Sequence, residues 1–161
     1  MDDFSRNSAW RELDVSLSFE DKNLESLLSF WNSIYRFHSL PRRADFTPTD
    51  IQQNLGWVVL IDVELAPLRF RFRLVGSGVT GALSRDATHR YMDELYDPDI
   101  YDEVVSPYVY VVKHRRPVRS VGRMVHANKG HIRYEAVYLP YSDDGERVDM
   151  IMEGVRYEGI S

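Results

Sequence analysis

The chain contains no cysteine. That one absence removes disulfides, thiolate metal sites, cysteine nucleophiles and thiol-linked chromophores together. It also leaves nothing that points to an oxidising compartment. Positive charge is in deficit: 20 Lys and Arg stand against 25 Asp and Glu, a net charge of −5. Neutralising a run of phosphates needs the opposite balance, so no nucleic-acid partner is expected. Long apolar runs are missing as well. The longest, residues 57–61 and 108–112, fall far short of the ~18 residues of a membrane helix, and no membrane partner is expected. The start, Met1-Asp2-Asp3-Phe4-Ser5, has neither the basic residues nor the apolar core of a secretory signal. The expected location is the cytoplasm. No serine stands in G-x-S-x-G and no H-E-x-x-H occurs. No catalytic residue and no metal site is assigned.

What remains is an ordinary globular composition, 43% hydrophobic in 161 residues, enough for one domain with a sizeable core. Residues 1–20 read as a polar arm. Leu24, Leu27, Leu28, Trp31, Ile34 and Tyr35 then fall on one stripe at helical spacing. They predict a helix over residues 22–37, capped by Asp21 or Asn23. A second short helix is expected over 47–56, with Thr47 as cap, Pro48 at its first position and Gly56 ending it. These N-terminal helices occupy residues 21–56.

The remaining domain, residues 57–157, opens with two strands. In 57–64, Trp57, Val59, Ile61 and Val63 share one face. In 68–75, Leu68, Phe70, Phe72 and Leu74 point inward, and Arg69, Arg71 and Arg73 point outward. An irregular, partly helical stretch follows, then a longer helix from Asp97-Pro98 to about residue 114. Three strands finish the chain, over 118–125, 132–139 and 147–157, joined by turns rich in Asn, Asp and Gly. Strands separated from strands by a helical block predict an α+β fold with one five-stranded antiparallel sheet. A helical belt is expected on one face and the N-terminal helix on or near the other.

Several words in the chain are more specific than this order. Leu40-Pro41-Arg42-Arg43-Ala44-Asp45-Phe46 and Pro48-x-Asp50-Ile51 open the list. Phe70-Arg71-Phe72-Arg73-Leu74-Val75-Gly76, Arg85-Asp86-x-Thr88 and Tyr91-x-Asp93-Glu94-Leu95 follow, then Ser142-Asp143-Asp144-Gly145 and Val148-Asp149-Met150-Ile151. Together they resemble a family of small, often stand-alone bacterial PAS-like proteins. Three belt positions depart from that pattern. Ser84 and His89 stand where it usually has glycine, and Ala87 where it usually has a larger aliphatic residue. The resemblance implies a PAS-like fold and a sensory or regulatory role, with signalling proteins such as histidine kinases as partners.

Leu74-Val75-Gly76-Ser77-Gly78-Val79-Thr80-Gly81 spells G-x-G-x-x-G. A dinucleotide loop needs a buried parallel strand before it and an acid about 20 positions on, at the end of a second buried strand. The arginine-backed strand does not qualify, so no nucleotide is expected. His126 and His131 flank a turn without a third ligand. His114 reads as charge complementing a helix end, with haem ligation as the alternative. The arginines of 69–73 read as a solvated, ion-paired face.

Two apolar surfaces remain. Phe70, Phe72, Leu74, Tyr108, Ile132, Tyr134, Val148, Met150 and Met152 are expected to line or underlie a cavity between sheet and belt. Val137, Leu139, Ile151 and Val155 are expected on the opposite face, which something must shield. Leu24, Leu27, Leu28 and Trp31 supply the cover, in the same subunit or in the second subunit of a homodimer. The expected function is regulatory binding without catalysis. The alternatives are a dedicated small-molecule or haem sensor, and an enzyme on a related curved sheet.

Overall fold

The computed structural model describes residues 11–124 and 129–160. A short strand β1 (Arg11–Asp14) precedes helix α1 (Lys22–Ile34) and two 3-10 segments, Arg43–Asp45 and Pro48–Trp57. Strands β2 (Val58–Leu65) and β3 (Leu68–Val75) form a hairpin. Helices α2 (Ser77–Leu83), α3 (Met92–Leu95) and α4 (Pro98–His114) lead to β4 (Val118–Met124), β5 (Lys129–Tyr141) and β6 (Met150–Tyr157). All strands join one antiparallel sheet in the order β1-β4-β5-β6-β2-β3.

The α+β class is as expected, with six strands where five were predicted. The sixth is β1, which lies in the segment read as a polar arm and pairs with β4 at the sheet edge. Its hold is long-range. Asp14 pairs with Arg119 of β4 at 3.1 Å, and the Arg11 side chain reaches across to β5 and α4. Four residues without an apolar alternation carry no local signal of such partners.

The outer face of the sheet is covered from within the chain. Asp21 caps α1 by accepting from the amides of Asn23 and Leu24. Glu135 on β5 accepts from the amides of Glu20 and Asp21 and from Arg119 Nε, which anchors the start of the helix. Leu24, Leu27 and Trp31 are buried, and Trp31 Nε1 donates to the Pro140 carbonyl at 2.8 Å. Burying each such side chain contributes about 1.5–3 kcal/mol. The helix lies directly on Gly154 of β6, where an added Cβ would collide with Leu27 and crowd Leu24.

Helix α1 stops at Ile34 instead of 37. Ser39 N donates to Arg36 O there, closing a tight turn with Phe37 and His38 both at positive φ. The stretch expected as a second helix is a 3-10 segment broken at Ile51. Its buried anchors, Ile51 and Asn54, are three residues apart, which fits three residues per turn.

Candidate functional site: a half-buried acid in a tyrosine cluster

Helices α2, α3 and α4 cover the inner face of the sheet. The residues that meet beneath them are set by strand phase. On β2 the inward residues are Val59, Ile61 and Val63, opposite Val75, Phe72 and Phe70 of β3. Arg73 is left unpaired in a bulge between the Leu74 and Phe72 pairs. One extra residue reverses the alternation. Val75 therefore turns inward, and Leu74, predicted inward, turns outward and is 45% exposed.

On β6 the inward residues are Ile151, Glu153, Val155 and Tyr157. They face Pro140, Tyr138, Ala136 and Tyr134 of β5. Helix α4 adds Val104 and Tyr108, one helical turn apart. These groups line two small, partly open voids of about 40 Å³ and 50 Å³. Glu153, Val155, Tyr157, Tyr108 and Tyr96 line both. Arg11, Tyr134 and Tyr138 border the first, and Arg85, Ala87 and Phe72 the second.

The chemistry of this cluster is polar. Tyr108 donates its hydroxyl to Glu153 Oε1 at 2.5 Å, and its ring packs against Tyr138 and Phe70. Tyr138 in turn shares a hydrogen bond of 3.0 Å with Ser120 Oγ. Arg11 Nε donates to the Tyr134 hydroxyl at 2.8 Å. Its Nη1 donates to the carbonyls of Glu103 and Val104 on α4.

Pro107, inside α4, makes that last contact possible. Proline has no amide hydrogen, so the carbonyl four residues back, that of Glu103, loses its helical donor. Arg11 and the Ser106 hydroxyl supply donors instead. Burial pushes the Glu153 carboxyl up to about 7, although the Tyr108 hydroxyl and the Arg11 charge favour the anion. Burial likewise raises the hydroxyls of Tyr108 and Tyr138 well above the ordinary tyrosine value.

The residues predicted for the cavity divide. Phe70, Phe72, Tyr108 and Tyr134 are brought together under the belt. Met150 and Met152 are buried on the other face, in register with Tyr141 and Leu139. Val148 is buried ahead of β6, and Ile132 is partly buried. Neither borders a void. Ile151, predicted for the outer face with Val155, points inward with it. The phase of β6 is thus opposite to the one expected. Both faces of β6 are buried and largely apolar, so alternation alone could not distinguish them.

Val137 and Leu139 do lie on the outer face, with Leu24, Leu27 and Trp31 packed in the same layer and Leu28 partly buried beside them. Leu24, Leu27, Trp31, Val137 and Leu139 are thus buried within one chain, and Leu28 in part. Glu153, Tyr138 and Arg11 escaped sequence reading. One signal pointed to Glu153: a strand glycine marks a close approach of another element. Placing Gly154 under the helix puts Glu153 on the opposite face.

A family model described as a PAS domain matches residues 19–154. The chain belongs to the PAS domain family. Neither the curated proteins nor the solved structures gave a match. Membership places the chain in sensory and regulatory signalling in general. No described helix is long and apolar enough to cross a membrane. Among the described residues no group of three or more His, Asp or Glu is placed to hold a metal.

The glycine-rich loop has a packing role in this PAS domain. Gly76 precedes α2, and a Cβ there would sit 2.5 Å from the Gly56 carbonyl oxygen. A Cβ on Gly78 would sit 2.7 Å from the Trp57 ring. The two glycines let α2 lie against the end of the 3-10 segment. His114 is exposed at the end of α4, its ring 4.3 Å from that of Tyr110, and it borders neither void. It does not fit a haem held in the core. His131 is exposed, and His126 lies outside the described residues. The arginines of β3 are ion-paired: Arg69 with Asp93, and Arg71 and Arg73 with Asp62.

Proposed function

We propose that this PAS domain is a regulatory protein of bacterial signalling that works in the cytoplasm by binding and without catalysis. The cluster around Glu153 is its sensing element. Signalling proteins, histidine kinases among them, are its partners. The observation that carries this reading is the space between sheet and belt. Side chains fill it down to partly open voids of about 40 Å³ and 50 Å³, room for a water or two and too little for a metabolite. A homodimer, if formed, uses surfaces other than the apolar stripe of α1, because that stripe is buried against its own sheet.

Native mass spectrometry of the freshly purified chain tests the reading. Mass of the bare polypeptide, as monomer or dimer, is the expected result. A stoichiometric added mass that disappears on denaturation would replace it with the reading of a dedicated small-molecule sensor.

A further inference from the structure

The polar groups of the cluster have a specific imbalance. Glu153 is an acid set among tyrosines. Tyr108 of α4, Tyr134 and Tyr138 of β5, Tyr157 of β6 and Tyr96 after α3 all border the same voids. The cations that face it are Arg11 of β1 and Arg85 after α2. Arg11 is engaged with the Tyr134 hydroxyl and with two carbonyls of α4. Glu153 forms no ion pair among the described residues, and its one close polar partner is the Tyr108 hydroxyl. The protein gives a carboxylate here one donor and leaves its other oxygen to water in the adjoining voids, so the half-desolvated site favours the neutral carboxyl.

Resting on the reading of this cluster as the sensing element, we propose that the proton is its ligand, taken up and released by Glu153, and that the Tyr108 contact and the Arg11 clamp carry the change to α4 and β1. The sequence of events follows from the geometry. Protonated Glu153 accepts from Tyr108 and leaves Arg11 on the carbonyls of Glu103 and Val104. On losing the proton the carboxylate attracts donors: water into the adjoining voids, the hydroxyls of Tyr138 and Tyr157, and the Arg11 guanidinium. Each unit of charge that Arg11 directs to Glu153 weakens its hold on α4 at Pro107, where the helix has no amide hydrogen of its own to replace it. Strand β1, four residues long at the sheet edge, depends on the same side chain. The voids admit the proton-linked water without requiring a larger opening. Desolvation of the half-buried carboxyl among the tyrosines shifts its pKa upward, to about 7.

Nuclear magnetic resonance on the full chain, with glutamate side chains labelled with carbon-13, tests this between pH 5 and 9. One carboxyl carbon should titrate near pH 7, and amides of α4 and β1 should shift with the same midpoint. In Glu153→Gln both should vanish. In Tyr108→Phe, which keeps the ring packing, the midpoint should rise by about half a unit or more because the anion loses its donor. Hydrogen exchange at Val104 and Tyr108, corrected for its intrinsic pH dependence, should be at least about tenfold faster at pH 8.5 than at pH 5.5 in the wild type only.

A Glu153 midpoint in the ordinary carboxylate range would overturn the proposal. So would α4 shifts that persist unchanged in Glu153→Gln. Should that variant fail to fold, an unmoved midpoint in Tyr108→Phe overturns it equally. Failure here, with a bare mass in the native spectrum, leaves the regulatory reading standing. An added mass removes that reading independently of how Glu153 titrates.

Discussion

At the scale of the residue, backbone conformation explains two departures from the family pattern. Ser84 ends α2 with φ 62°, and His89 has φ 71° in the loop that follows. Both are left-handed positions, where a Cβ is strained and glycine is not. A glycine at either place would adopt the same conformation without that strain. Ser84→Gly and His89→Gly should each raise stability by about 0.5–1 kcal/mol. Urea denaturation checks this, and a loss of stability in both would refute it. The third departure, Ala87, borders the void of about 50 Å³, so a small side chain there leaves space that a larger aliphatic residue would fill.

At the scale of the element, the sheet is held by contacts that only its packing creates. Gly76 donates its amide to the Val58 carbonyl and lies against the backbone of Leu55 and Gly56, which cannot move aside as a side chain could. Gly76→Ala should therefore cost about 1–3 kcal/mol and loosen α2. A lowered melting temperature, with hydrogen-exchange protection lost first in residues 77–83, is the expected result. An unchanged melting temperature would count against the close approach. Helix α1, β2, β3 and α4 were legible in sequence because each has a sustained period over eight or more residues. Strand β1 and the phase of β6 were not. The first is four polar-edged residues, and the second has apolar groups on both sides. Cross-strand register, a property of pairs of strands, decided both. It is also why Glu153 was missed while Tyr108 and Tyr134 were found.

At the scale of the whole molecule, two carboxyls set opposite limits on stability. Asp14 is partly desolvated, which raises its pKa, but hydrogen bonds from Ser16, Ser18 and Arg119 outweigh this and hold it at about 2. The unfolded chain therefore binds the extra proton, and this stabilisation is present above the ordinary aspartate value and lost as pH falls through about 2. Glu153 works the other way. Its folded value of about 7 exceeds the ordinary 4.5, so the folded chain binds the extra proton. Stability is then fully present below the ordinary value, declines as pH rises, and levels off above about 7. The decline is on the order of 3 kcal/mol. Thermal unfolding from pH 4 to 9 should show a falling melting temperature to about pH 7 in the wild type, and a flatter profile in Glu153→Gln. Parallel profiles would contradict it. The sequence by itself determined the fold class, the family, the apolar stripe of α1 and the aromatic side of β3, because these rest on local period and on the recurrence of short words. The tertiary structure alone decided which face of β6 looks inward, that β1 joins the sheet, and that an acid meets five tyrosines beneath the belt. Those depend on register and on contacts between residues up to 123 positions apart, which no local pattern encodes.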